Sequence, residues 1–262
     1  MKVAQDRKAL VTGGASGFGR EIARTLKAAG AAVAVVDLNA QSAEETAAEL
    51  GAGALGIGAD VRSAADVRAA VDRTVEAFGG LDTLIVSAGI FHMADFEEVT
   101  EEDWDRTLDV NLKGAFLATQ AAMPHLRASG RGRVVMISSD AGKRGFAAIA
   151  PYTASKFGLN GLMESVAAEV AADNVTVNTL CPVGCPTTGM GQEVLAEKIK
   201  LTGDTPETIM ARAAATNPLG RNVLESDVAD AVLFLVSEHS SFITGVALDV
   251  DGGASLGSVP GV

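Results

Sequence analysis

Ser139, Tyr152 and Lys156 are the residues of this 262-residue chain whose types and spacing point most directly to chemistry. The serine precedes the tyrosine by thirteen positions, and the lysine follows it by four. Side chains four apart on a helix share a face, so the phenol and the ammonium can address one site. A free tyrosine keeps its proton up to a pH of about 10. A cation within about 4–6 Å favours the phenolate and brings the group toward proton transfer near neutral pH. The expected chemistry is acid/base catalysis by Tyr152.

A second run suggests what that proton transfer accompanies. Thr12-Gly13-Gly14-Ala15-Ser16-Gly17-Phe18-Gly19 follows the apolar run Ala9-Leu10-Val11 and opens a helical segment. A strand entering a helix through glycines leaves free N–H groups at the helix N-terminus, where the dipole also favours a phosphate. The spacing is G-x-x-x-G-x-G, not the G-x-G-x-x-G of the commonest dinucleotide fingerprint.

These motifs need elements to position them, and the apolar pattern supplies strands alternating with helices. Predicted strands are 9–12, 32–37, 54–59, 83–87, 133–138, 176–180 and 246–250. Predicted helices are 17–29, 42–50, 64–78, 101–128, 152–172 and 226–237. Most strands are near-continuous apolar runs, as in parallel sheets covered on both faces. The rhythm predicts an α/β fold, a Rossmann-like doubly wound parallel seven-stranded sheet in a single domain spanning 1–262. Thr100 and Asp103 resemble a helix N-terminal box. One excursion breaks the rhythm at about 182–221, with helical patterns at 192–200 and 205–215. Leaving the carboxyl end of a strand, it is placed to cover a ligand crevice; the plainer alternatives are a packed excursion or an oligomer contact.

Composition narrows the function classes. Hydrophobic residues make up 48% and charged residues 21%, with a formal net charge of −12. Such a surface repels nucleic acid and anionic membranes, so neither is an expected partner. No apolar stretch is long enough for a membrane span, and Met1–Arg7 lacks the apolar core of a secretory signal. A cytoplasmic location is the expectation. Cys181 and Cys185 are spaced C-x-x-x-C, which fits reduced thiols better than a redox pair. His92, His125 and His239 share no ligand spacing, and no metal is expected.

Taken together the motifs resemble the short-chain dehydrogenase/reductase family of the common single-domain type, over nearly the full length. The resemblance rests on Thr12-Gly13-x-x-x-Gly17-x-Gly19, Asp37, Asp60-Val61, Ala88-Gly89, Asn111, Ser139, Tyr152-x-x-x-Lys156 and Asp251-Gly252-Gly253, in that order. It implies an NAD(H)-dependent dehydrogenase or reductase interconverting a secondary alcohol, with polyols and sugars favoured, and its ketone. Tyr152 would be the acid/base, and Ser139 would hold the substrate oxygen. Lys156 would lower the tyrosine's pKa and bind the nicotinamide ribose. Asn111 would anchor a water chain through a local distortion of its helix. Cofactor contacts would come from Gly13, Ser16, Gly17, Phe18, Gly19, Asp37, Leu38, Asp60, Val61, Ala88, Gly89, Tyr152, Lys156, Pro182 and Val183.

Asp37 argues for NAD over NADP: a carboxylate accepts from ribose hydroxyls and repels a 2′-phosphate. Ser16 stands where family members using NADP often carry a base, although Arg20 lies close by. Two departures from the family are visible: Val86-Ser87-Ala88-Gly89 replaces Asn-Asn-Ala-Gly, and Val183 intervenes between Pro182 and Gly184. Either Thr187 or Thr188 would take the family's threonine role near the carboxamide. Pocket walls are expected from 90–94, 140–146 and the excursion, with Lys143 and Arg144 as candidate contacts for an anionic substrate or as a solvated turn. The family also implies a homotetramer or homodimer built on the two long helices, with Ala118, Ala122 and Ala167 among the small residues permitting close approach. Rival readings are a nicotinamide sensor without turnover, a dehydratase or epimerase retaining NAD, and a 3-oxoacyl reductase. Asp37 and the acidic chain speak against the last.

Overall fold

Seven parallel strands in the order 3-2-1-4-5-6-7 form the sheet of the computed structural model, which describes residues 4–256. The strands are β1 (Lys8–Thr12), β2 (Ala32–Asp37), β3 (Ala54–Gly58), β4 (Thr83–Val86), β5 (Arg133–Ile137), β6 (Thr176–Pro182) and β7 (Ala247–Val250). Around them lie α1 (Gly17–Ala28), α2 (Ala40–Leu50), α3 (Ala64–Phe78), α4 (Glu101–Leu108), α5 (Gly114–Ala128), α6 (Ala150–Val170), α7 (Gly189–Thr202), α8 (Pro206–Ala215) and α9 (Glu225–Val236). The strand order reverses direction between β1 and β4, which opens a crevice at their carboxyl ends.

Successive strand residues point to opposite faces, and both faces are dry. Leu10, Val36, Leu84, Val134 and Met136 pack against α3, α5 and α6, while Val11, Val35, Ile85, Val135 and Ile137 pack against α1 and α9. This explains the unbroken apolar runs. Leu84 is fully buried, and its truncation to alanine costs about 2–5 kcal/mol. Ala118, Ala122 and Ala167 are also buried in this core, so they serve the subunit's interior and not a surface between copies.

Two expectations need correction. The long helix predicted over 101–128 is interrupted at Asp109–Lys113 by a π-helical turn joining α4 to α5. β6 runs two residues beyond its predicted end, to Pro182, because β7 pairs with it through Val250. At Thr100 the hydroxyl accepts from Asp103 N at 3.1 Å, as the box predicts. The Asp103 carboxylate, however, accepts from that same hydroxyl instead of the Thr100 backbone.

Candidate active site

The site begins where β5 ends. Ser138 and Ser139 follow Ile137 directly, and Ser139 Oγ accepts from Ala141 N (3.2 Å) while donating to Asp140 (2.9 Å). Ser138 Oγ instead donates to Lys156 O at 3.3 Å and is used up structurally. α6 starts with Pro151, whose fixed φ suits a first helical turn. Its buried residues Tyr152, Ser155, Lys156, Leu159, Asn160 and Met163 form one stripe at helical spacing. The apolar members anchor the helix on the sheet and thereby carry Tyr152 and Lys156 to the strand ends.

Tyr152 is buried on the same cavity as Ser139, and Phe91 meets its ring edge-on at 5.0 Å. Lys156 Nζ donates to Ile137 O at 2.9 Å and sits 5.5 Å from the centre of the phenol ring. The electrostatics differ from the simple pairing expected of a tyrosine and a cation. Burial pushes the phenol up to about 12; the Ser139 hydroxyl lowers it and the Asp140 charge raises it. Burial pulls Lys156 down to about 8, with Cys181 opposing. Desolvation is the largest cause for both groups and disfavours the charged form of each, so at neutral pH the phenol holds its proton.

Asn111 lies at the centre of the π turn and is 1% exposed. Its Oδ1 accepts from Ile90 N (2.8 Å), and its Nδ2 donates to Ile90 O and to Ser155 Oγ (both 3.0 Å). Ser155 was not singled out from the sequence. Its hydroxyl, which donates to Tyr152 O at 2.7 Å, links the asparagine to the tyrosine's own helix. A single serine three residues after a tyrosine carries no recognisable signal; only the packed helix shows it.

The glycine turn faces this group from β1. Gly13 adopts φ +63°, and a side chain there would strike the Ala88 backbone. A Cβ on Gly19 would overlap the Gly13 carbonyl oxygen. Thr12 Oγ1 accepts from Ser87 N and Ala88 N (3.2 and 3.3 Å), tying the β1 and β4 ends together. Ser16 leads into α1 without a side-chain cap, and no acidic residue occupies the first turn. The orphan amides of Gly17, Phe18 and Gly19 therefore fit a pyrophosphate.

Asp37 ends β2, where its carboxylate accepts from Ala15 N and Asn39 N, each at 3.2 Å. Leu38 beside it is 71% exposed. Arg20, the base close to the loop, is bound through both oxygens of Glu49 (2.7 and 2.6 Å). Asp60 is paired with Arg62, whose guanidinium and backbone hold its carboxyl below the usual range despite partial burial. Val61 packs on Gly114 at the start of α5.

A cavity of about 480 Å³ lies against Ser139, Tyr152 and Lys156 and reaches the glycine turn at Phe18, whereas Asp37, Asp60 and the glycines of that turn do not line it. Phe18, Gly89, Ser139, Tyr152, Lys156, Pro182 and Val183 line it. The expected walls Phe91, Met93, Phe146 and Met190 line it too, but Lys143 and Arg144 do not. Lys143 is held by Asp249 (2.7 Å) at the edge of β7, and Arg144 by Asp140 (3.3 Å) and the Phe146 ring. Of the two candidate threonines, Thr188 lines the cavity 3.5 Å from a Cβ placed on Gly17. Thr187 turns away to Glu225 (2.9 Å). The excursion contributes its own wall, with α7 and α8 both facing the cavity.

A parallel sheet with a glycine turn at its switch point, above a buried serine, tyrosine and lysine, defines a nucleotide-binding oxidoreductase. The sequence model of the short chain dehydrogenases matches residues 7–199, and the chain belongs to that family. It is 39% identical to 2-(S)-hydroxypropyl-CoM dehydrogenase 3 of Xanthobacter autotrophicus, over 93% of this chain and 94% of that one. Among solved structures it superposes on sorbitol-6-phosphate 2-dehydrogenase from Erwinia amylovora with a TM-score of 0.90 at 33% identity, covering 94% and 98% of the two chains. It also matches a 3-ketoacyl-(acyl-carrier-protein) reductase from Brucella melitensis complexed with NADH, with a TM-score of 0.86 at 34% identity over 96% and 99%. The chain is thus an oxidoreductase of the kind that acts on secondary alcohols with a nicotinamide cofactor. No helix of the described residues is long and apolar enough to cross a membrane.

Proposed function

We propose that the protein is an NAD(H)-dependent dehydrogenase that interconverts a secondary alcohol and its ketone, with Tyr152 as the acid/base. The observation that carries this is the convergence of Ser139, Tyr152 and Lys156 on one cavity wall opposite the uncapped glycine turn. When bound, the nicotinamide accepts a hydride from the carbinol carbon or returns it to the carbonyl carbon. Tyr152 exchanges the remaining proton with the substrate oxygen, so the alcohol yields ketone, NADH and one proton. Ser139 orients that oxygen. Lys156 holds the ribose and places a positive charge beside the phenol. Asn111 fixes the segment carrying Gly89, Ile90 and Phe91 against α6.

NAD is favoured over NADP because Asp37 presents its carboxylate where a 2′-phosphate would sit, and Glu49 neutralises the nearby Arg20. Asp60 and Val61 would hold the adenine, and Thr188 would serve the carboxamide. The excursion at 182–221 acts as a lid. A cytoplasmic homotetramer or homodimer completes the proposal. Phe116 and Phe157 on the two long helices are 42% and 46% exposed, which supports pairing through α5 and α6.

A panel of secondary alcohols and polyols with NAD and with NADP, followed by nicotinamide absorbance, tests the reading. Turnover with NAD should fall by about 10²–10⁴-fold in Tyr152→Phe. Tight NADH binding without turnover on any member of the panel would instead favour a sensing module.

A further inference from the structure

The wall supplied by the excursion is almost wholly apolar, with one exception. Met190, Gly191, Val194, Leu195 and Lys198 of α7 face the cavity at positions one, two, five, six and nine of one helical stripe. α8 adds Ile209, Met210 and Ala213. Three charged residues line the cavity: Asp140, Lys156 and Lys198. Asp140 is engaged by Ser139 and Arg144, and Lys156 by the Ile137 carbonyl. Of the neighbouring charges, Lys200 pairs with Glu197 and Arg212 with Asp204, while Glu193 and Glu207 do not line the cavity. Lys198 has no ion-pair or hydrogen-bond partner for its ammonium among the described residues.

Its position separates it from the cofactor's phosphates. Thr188 caps α7 beside Gly17 of the glycine turn. Lys198 lies ten residues further along, about 15 Å at helical rise. A cation there cannot reach a phosphate held on the amides of α1. By that count it lies well removed from the Gly17 amides, among the apolar lining of the cavity. In a chain of net charge −12, an unmatched cation at the mouth of an apolar cavity attracts one kind of group: an anion.

We propose that Lys198 binds an oxyanion at the far end of the substrate: a carboxylate, sulfonate or phosphate carried on an apolar body whose other end bears the reacting carbonyl. This rests on the dehydrogenase reading above and names its substrate class. Apolar groups of α7 and α8 cover the body, while Lys198 sets the distance between anion and reacting carbon.

The test uses linear oxo acids from 4-oxopentanoate to 8-oxononanoate beside their methyl esters, reduced with NADH. The wild-type protein should prefer one or more acids over the matching ester by about tenfold in kcat/KM, chiefly through KM. Lys198→Met should abolish that preference, Lys198→Glu should reverse it, and Lys198→Arg should keep it. Raising the salt from about 0.05 to 0.5 M should shrink it, as for any exposed ion pair. Calorimetry of the oxo acid with NAD present, a pair that cannot react, gives a second readout, with about tenfold weaker binding in Lys198→Met. Equal acid-to-ester ratios in wild type and Lys198→Met, with equal calorimetric affinities, would overturn the assignment. Loss of affinity in Lys198→Met without turnover of any acid or ester would uphold Lys198 as the anion site and sink the dehydrogenase reading instead.

Discussion

The side chain of Asn111 pairs with the backbone of Ile90 as a neighbouring strand would, accepting from its N–H and donating to its C=O. The π turn makes this possible, because an α-helical register would rotate Asn111 away from the β4 loop. Gly89 lies between the two side chains, where a Cβ would make ordinary contact with Asn111 Oδ1 (3.4 Å) and Lys156 Nζ (3.6 Å).

Replacing Asn111 with leucine keeps the approximate size and removes every polar contact. Two backbone groups of Ile90 and the Ser155 hydroxyl lose their partner in a buried place. Unfolding by denaturant should show a loss of about 2–4 kcal/mol. Turnover should fall further than stability alone explains, because the Phe91 wall beside Tyr152 is released.

The proton on Tyr152 sets the pH dependence. With the phenol held up to about 12 by burial, the protonated form needed for carbonyl reduction is fully present at neutral pH. The deprotonated form needed for alcohol oxidation grows only as pH rises. Initial rates should therefore show kcat/KM for oxidation climbing between about pH 7 and 10, while that for reduction stays level over the same range. An oxidation rate flat across that range would count against Tyr152 as the base.

Lys156 is an expensive residue to bury. Its ordinary value of 10.5 drops to about 8 in the fold. Below pH 8 both folded and unfolded chains carry its proton, and the full cost of the buried charge is present. Between about 8 and 10.5 the unfolded chain binds more protons, so stability rises with pH. Lys156→Met should thus be more stable than wild type at pH 7, by about 1–2 kcal/mol after loss of the Ile137 bond. Thermal melts from pH 7 to 10.5 should show that advantage shrinking, with activity lost throughout.

Asp37 should govern the choice between the two nicotinamide cofactors. Asp37→Ser removes the charge but retains a small polar group at the end of β2. The ratio of kcat/KM for NAD over NADP should fall by about 10–100-fold. Because Asp37 also accepts from Ala15 N, some loss with NAD is expected as well. An unchanged ratio would remove Asp37 from that role.

The sheet was readable because its inner strands are dry on both sides and so largely apolar, while the edge strands β3 and β7 are partly exposed. The helical periods between strands then required crossovers and parallel pairing. Strand ends moved by one or two residues, as at Pro182, where the partner strand β7 lies about seventy positions away. The break in the helix predicted over 101–128 left no mark in the periodicity, since a π turn adds one residue to an otherwise regular pattern. The interval to Tyr152 that the family resemblance implies favours Ser139 over the neighbouring Ser138. Neither Thr187 nor Thr188 could be preferred from the sequence, because their side chains diverge only once α7 is capped.

The sequence alone determined the alternating elements, the glycine turn and the order in which Ser139, Tyr152 and Lys156 appear. These are local or periodic properties, written in residue type and interval. Tertiary structure decided everything that depends on distant neighbours. It led Lys143 and Arg144 away to Asp249 and Asp140, and it brought Lys198 to the cavity from a helix some forty residues beyond Tyr152. It also buried the tyrosine and lysine, which pushes the phenol up and the ammonium down, because burial is a property of the whole packed chain.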